Sequence, residues 1–210
     1  IEENAFNNIS RAPNSTAIRL DQSHANISGT TCQDVRNGII VEECVLKIRN
    51  VEIDGVSVAT VAPTYGIEVI SSNATIEEVL IQGFEPKDSV GLNIQNSNTI
   101  LRNSDINTND IAIRCDCSTL LLDTISGDAN AVGLVCETNT FVKFMNIPAI
   151  TPLGPGFSVG NLPGLFTYTD LNIFDIANTS ASNYINHNER NNVLINVSTV
   201  NQNIQNAQGV

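Results

Sequence analysis

The chain has 210 residues, five cysteines, no tryptophan, 5% aromatic residues and a formal net charge of −12 at pH 7. That length suffices for one domain with a substantial core, which the shortage of aromatics makes aliphatic. So acidic a surface, with no basic cluster to offset it, argues against nucleic-acid binding, and no run approaches the roughly 18 apolar residues of a membrane span.

The first residues, Ile1-Glu2-Glu3-Asn4, are neither a start methionine nor a signal peptide, so the chain is expected to be a processed product or a piece of something longer. Residues 1–13 read as an N-terminal extension or cap. From residue 14 a short motif recurs: a small residue, an aliphatic, a free position and a second apolar residue. The copies are Ala17-Ile18-Arg19-Leu20, Gly38-Ile39-Ile40-Val41, Gly66-Ile67-Glu68-Val69, Gly91-Leu92-Asn93-Ile94, Ala112-Ile113-Arg114-Cys115, Gly133-Leu134-Val135-Cys136 and Gly156-Phe157-Ser158-Val159. They start 21, 28, 25, 21, 21 and 23 residues apart. Self-similarity at roughly 20–50 residues marks a solenoid. Each copy alternates inward and outward as a strand with one buried face must, which predicts strands starting near residues 18, 39, 67, 92, 113, 134 and 157.

A second apolar position closes another β-rich run 15 residues after most starts, as from Gly38 to Ile53, Gly66 to Ile81 and Gly91 to Ile106. The stretches between units vary more, the longest being 54–65 and 82–90. Rigid and variable halves are what a coil shows when stacked strands are constrained and one turn is free to bulge. No sustained i, i+3, i+4 pattern supports helix pairs. The expected architecture is an all-β parallel β-helix of about seven coils over residues 14–175, right-handed by the general preference of parallel crossovers. Four of the seven prolines crowd between Pro148 and Gly164, so an interruption is expected over 148–164. Residues 176–210 form an Asn/Gln-rich tail, with one alternating strand and a degenerate coil within 183–200.

With these repeats the chain resembles the right-handed parallel β-helix superfamily, which includes pectate lyases, polygalacturonases and viral tailspikes. Asn107-Thr108-Asn109-Asp110-Ile111-Ala112-Ile113 looks like that superfamily's Asp-Asp-x-x-Ala-Ile hydrolase segment, with Asn109 in place of the first Asp. One coil later Asn130-Ala131-Val132-Gly133 lacks the histidine, and the basic motif is missing. Glycoside hydrolysis needs an acid and a base, which a single Asp110 does not supply. Were the chain an enzyme, the resemblance implies Asp110, Asp128 and Arg114 along a glycan groove. A lyase would need a Ca²⁺ site of several carboxylates and a basic residue; Arg102 and Arg114 are outward candidates, but Asp105, Asp110, Asp116 and Asp128 are dispersed. No metal and no cofactor is expected.

Asparagine is roughly one residue in seven, and it tolerates left-handed turns. Asn73 and Asn98 each lie seven residues past their coil start, and Asn139 six, so stacked turn asparagines that bond along the solenoid are expected. Six Asn-X-Ser/Thr sequons, at Asn8, Asn14, Asn26, Asn73, Asn178 and Asn196, are close to what this composition gives by chance. Cys115 and Cys136 share the fourth motif position on adjacent coils and are expected to stack inward, as buried thiols or as a cross-coil disulfide. Cys32 fits a core position and Cys44 lies near a turn. His24 and His187 read as surface polar residues.

Loops on a rigid scaffold commonly carry binding residues, so Tyr65, Phe84, Glu85, Lys87 and Asp88 in the two longest loops are the binding candidates. The expected function is a non-enzymatic structural or receptor-facing protein of a virion surface or appendage, spike- or fibre-like and extracellular. Its expected partners are copies of itself in a trimer, other virion or surface proteins, and a glycan. The alternatives are a carbohydrate-active enzyme and a cell-surface adhesin.

Overall fold

Alternation of apolar and polar residues dictates the strands, and Asn, Ser and Gly dictate where they stop. The computed structural model describes residues 1–7, 15–56, 63–127, 130, 132–136 and 140–144, with three further strands at 166–168, 173–176 and 194–197. In chain order the strands are β1 (Ala5–Asn7), β2 (Thr16–Asp21), β3 (His24–Val35), β4 (Asn37–Glu42), β5 (Val45–Gly55), β6 (Tyr65–Ile70), β7 (Asn73–Gln82) and β8 (Val90–Gln95). They continue as β9 (Asn98–Asn107), β10 (Ile111–Asp116), β11 (Thr119–Ser126), β12 (Val132–Cys136), β13 (Phe141–Phe144), β14 (Phe166–Tyr168), β15 (Ile173–Ile176) and β16 (Leu194–Val197). No helix is present among the described residues.

Among the described residues all strand pairs are parallel and fall into two sheets. One runs β14-β12-β10-β8-β6-β4-β2, the other β1-β3-β5-β7-β9-β11-β13-β15-β16. The fold is therefore the expected all-β parallel β-solenoid. It has about four regular turns rather than seven: passing from β2 to β10 winds the chain four times. Beyond that the strands shorten, to five residues in β12, four in β13 and three in β14. The expected strand near 157 and the interruption over 148–164 lie outside the described residues; the strand that pairs with β12 is β14. Within the tail, β16 joins the nine-stranded sheet rather than opening a new row in the other. At the N-terminus β1 stacks on β3 and the Ile1 ammonium donates to Asn26 O at 2.9 Å, so residues 1–7 cover the outer edge of that strand.

Register stacks like on like. Ile18, Ile39, Ile67, Leu92, Ile113 and Leu134 form one interior column of the seven-stranded sheet, all buried. Ile27, Ile48, Ile76, Leu101 and Leu122 form another across the core. Branched side chains stacked at the ~4.8 Å strand spacing fill a narrow interior without aromatics. Each such burial contributes about 1.5–3 kcal/mol, so these columns outweigh every surface contact.

Corners come from the left-handed backbone. Gln22, Glu43, Ser71, Asn96 and Cys117 have φ between 46° and 52° and form one column, where each short strand turns into a long one. Gly29, Asn50, Glu78, Asn103 and Thr124 form a second column, φ 46° to 57°, in the middle of the long strands. There the alternation slips: in β5 Leu46 and Ile48 point in, Arg49 and Asn50 both point out, and Val51 and Ile53 point in again. Each long strand thus bends, and a turn of the solenoid presents three flat faces.

Polar groups inside the first corner are matched by a hydroxyl ladder. Ser72, Ser97 and Ser118 each donate to the carbonyl two residues back, at 2.6, 2.7 and 2.5 Å. Their oxygens accept from the backbone N–H of Cys44, Ser72 and Ser97 on the preceding coil, at 2.8, 3.0 and 2.9 Å. Cys44 sits in the same column, its thiol donating to Glu42 O at 3.1 Å. Buried backbone groups at a turn need such partners. The expected asparagine stack is present beside it, Asn98 Nδ2 donating to Asn73 Oδ1 at 3.0 Å; Asn139 lies outside the described residues.

Cys115 is buried and carries a free thiol, although β10 and β12 place it directly beside Cys136 in register, so no disulfide joins it to the next coil. Burial pushes the Cys115 thiol up to about 12 and that of Cys32 up to about 11, which keeps both protonated and unreactive at neutral pH.

Candidate functional site

On a solenoid the outward residues of one face form columns, one residue per coil. Along the seven-stranded sheet the central outward column reads Arg19, Ile40, Glu68, Asn93, Arg114 and Val135. Tyr65 opens β6 three residues before Glu68, and Asp116 closes β10 two residues after Arg114. Tyr65, a binding candidate, and Arg114, a candidate from the family resemblance, thus share this face. Glu68 and Asn93 join them.

This face is drier than a free sheet surface. Asn93 is only 1% exposed and Ile40 7%, although both occupy the outward column. Asn93 Nδ2 donates to Glu68 Oε1 at 3.0 Å. Burial raises the Glu68 carboxyl above the usual carboxylate range and Glu42 adds to this, while the Asn93 hydrogen bond and Arg19 oppose it. Burial also raises the Tyr65 phenol, with Glu68 adding and Arg114 opposing. At the edge of the face Arg19 pairs with Glu42 at 3.1 Å. Phenol, carboxylate, amide and guanidinium lie side by side with both charge signs present, which suits recognition by hydrogen bonds more than by net charge.

The loop of residues 83–89 is a second, separate feature. Glu85, Lys87 and Asp88 are exposed on it. Phe84 is not: its side chain is 0% exposed and belongs to the core. Its backbone N–H donates to Asn109 Oδ1 at 3.1 Å, and Asn109 in turn donates to Asn130 Oδ1 at 3.0 Å. These buried asparagines hold the loop so that the ring points inward. Asp110 binds the other end, its Oδ2 accepting from the Asp88 N–H at 2.7 Å and its own N–H donating to Phe84 O at 2.8 Å. The Asp110 carboxylate therefore serves the turn in which Asp88 takes φ 66°. Asp128 lies outside the described residues, as do 57–62 of the other long loop.

Beside this loop an open depression of about 340 Å³ is lined by Asp34, Asp54, Gln82, Glu85 and Thr108. Burial raises the Asp54 carboxyl, and the Asp34 and Glu52 charges add to the effect. Another open groove, about 430 Å³, follows the mid-strand corner past Asn50, Glu52, Glu78, Asn103 and Asp105. Nearby charges are paired: Arg49 grips Glu78 through two bonds of 3.1 Å, and Glu77 sits between Lys47 at 3.1 Å and Arg102 at 3.6 Å. Exposed pairs of this kind are screened by solvent and add little to stability. Among the described residues no three His, Cys, Asp or Glu side chains gather as metal ligands.

Sequence reasoning missed Glu68 and Asn93 as site residues. The available signal was their place: both occupy the free third position of the motif, which the register turns into one outward column. No family model, curated protein or solved structure matches the chain; what is shown is the fold, an all-β parallel β-solenoid.

Proposed function

We propose that this protein is a non-enzymatic, receptor-facing β-solenoid, a rigid rod on the outside of a virion or cell that presents the outer face of its seven-stranded sheet to a partner. The observation that carries this reading is the use of Asp110. In the resembling hydrolases an aspartate at this place does chemistry, whereas here its carboxylate accepts the Asp88 N–H at 2.7 Å and shapes a loop. Arg102, one of the two candidate basic residues of a lyase, is drawn to Glu77 at 3.6 Å. The stacked serine, asparagine and ion-pair columns engage polar side chains in keeping the coils in register, as a load-resistant scaffold requires. Placement on a virion rather than a cell rests on the resemblance to tailspike-like solenoids.

Two measurements test the reading. A panel of neutral and acidic polysaccharides is expected to show no turnover with either the native chain or Asp110→Asn. The variant should lose at most about 1 kcal/mol of stability, because an amide oxygen still accepts the Asp88 N–H without the charge. Turnover by the native chain that Asp110→Asn abolishes would sink the structural reading. Light scattering is expected to show a trimer of the 22.6 kDa chain, and a clean monomer would count against self-assembly.

A further inference from the structure

Each row of the nine-stranded sheet presents two outward flats that meet at the mid-strand corner. Before the corner stand Lys47 and Arg49 on β5, Thr75 and Glu77 on β7, and Ile100 and Arg102 on β9. Past it the outward residues are Glu52 and Asp54 on β5, Leu80 and Gln82 on β7, and Asp105 and Asn107 on β9. Row by row the charges are opposite. Where the first flat has cations, on β5 and β9, the second has the carboxylates Glu52 and Asp105. Where the first flat has the carboxylate of Glu77, the second is uncharged. The next row repeats that case, with Asp123 before the corner and Ser126 past it.

Within the chain Lys47 and Arg102 share the single Glu77, and Arg49 holds Glu78 on the corner. Glu52 and Asp105 form no hydrogen bond or ion pair among the described residues. Val45, 49% exposed, and the stacked Ile100 and Leu121 add apolar surface to the first flat, and Leu80 is the apolar residue of the second. A basic partner would suit the second flat alone and an acidic one the first alone, whereas a second copy satisfies both. Parallel rods around a common axis meet at equal height, so each row of one copy faces the same row of the next. Two rows separate Lys47 from Arg102 and Glu52 from Asp105, about 10 Å on either flat at the strand spacing. A slip of one row would set Glu77 against Glu52 or Asp105, and like charges face to face select against it.

We propose that these flats are the self-assembly surface of the rod: the flat of Lys47, Arg49 and Arg102 in one copy docks at equal height on the flat of Glu52 and Asp105 in the next. The inference rests on the scaffold reading and gives its self-association a surface and a register. Because two different, adjoining flats make the contact, three copies are the smallest ring that closes, with the mid-strand corner nearest the axis.

The experiment is light scattering of the full chain over a dilution series, with charge reversals. Glu52→Lys with Asp105→Lys is expected to weaken assembly at least tenfold, and so is Lys47→Glu with Arg102→Glu. All four substitutions together exchange the signs of the flats and should restore it. Glu43→Lys with Glu85→Lys changes the net charge by the same amount away from both flats and should leave assembly unchanged. Should the fourfold variant not fold by circular dichroism, the Glu52 and Asp105 reversal against this control still decides, because neither carboxylate has an ion pair to lose. Assembly indifferent to that reversal, an equal loss in the control, or a folded fourfold variant that stays apart would overturn the proposal. A native chain that is monomeric at every concentration would overturn it together with the expected trimer. None of these results touches the non-enzymatic reading, which polysaccharide turnover alone would sink.

Discussion

Phe84→Ala is expected to lower the unfolding free energy by ~3–5 kcal/mol, the usual loss when a large buried aromatic is cut to a methyl group and the cavity cannot collapse. Collapse is blocked here by the neighbours. A methyl-sized probe atom built on Gly55 would lie 3.0 Å from the ring's Cδ1, and one on Gly66 would lie 3.1 Å from its Cε2. The ring therefore occupies the room left by two glycines, which have no side chains of their own to move into it. Denaturant titration reads the change as a drop in midpoint at constant slope. A stability loss below about 1 kcal/mol would mean that the ring is not in the core and would restore Phe84 as a surface contact. Lys87→Ala on the same loop is exposed and serves as the neutral comparison.

Gly66→Val should be as damaging for the opposite reason. A Cβ at this position would stand 2.5 Å from Gly91 O and 2.5 Å from Ile81 Cγ2. Overpacking in a dense core costs about 1–3 kcal/mol and occasionally more. This site belongs at the upper end, since one colliding atom is backbone held in a parallel ladder. A loss of about 3 kcal/mol corresponds to a thermal midpoint lower by roughly 6–12 °C in a chain of this size. Circular dichroism melting of Gly66→Val measures it, and a midpoint within about 2 °C of the native chain would refute the close approach of these coils. Backbone conformation is not the cause here, because Gly66 lies in a regular strand; the restriction is space alone.

The two substitutions show where a one-dimensional reading reaches and where it stops. A small residue at the head of each motif was visible as a pattern, and so was the alternation behind it. Whether a given copy tolerates Ala, as at Ala17 and Ala112, or demands Gly, as at Gly66, depends on the coil above. The Ser column at Ser23, Ser72, Ser97 and Ser118, with Cys44 in line, stands six residues past each motif start and was legible in principle. It was overlooked because single serines between apolar strands read as ordinary turn residues. Their role exists only where the next coil's hydroxyl meets the previous coil's N–H. Phe84 was misplaced for a related reason. In a stretch of Gly, Glu, Pro and Lys an aromatic reads as exposed, and it is Asn109, reached across a gap of 25 residues and backed by Asn130, that turns it inward.

What the sequence by itself determined is the parallel β-solenoid. Its period, alternation and turn residues are local properties repeated often enough that stacking is the one way to bury every apolar stripe at once. The number of regular turns was beyond it, since motif copies continue after the strands have shortened to three to five residues. The outer face was beyond it as well. Glu68, Asn93 and Arg114 are separated by 25 and 21 residues, and they become neighbours only when loops of unequal length are wound out of the way. Strand propensity is written in each residue and its next few neighbours, whereas the chemistry of a face depends on which coils touch, and the tertiary structure alone decides that.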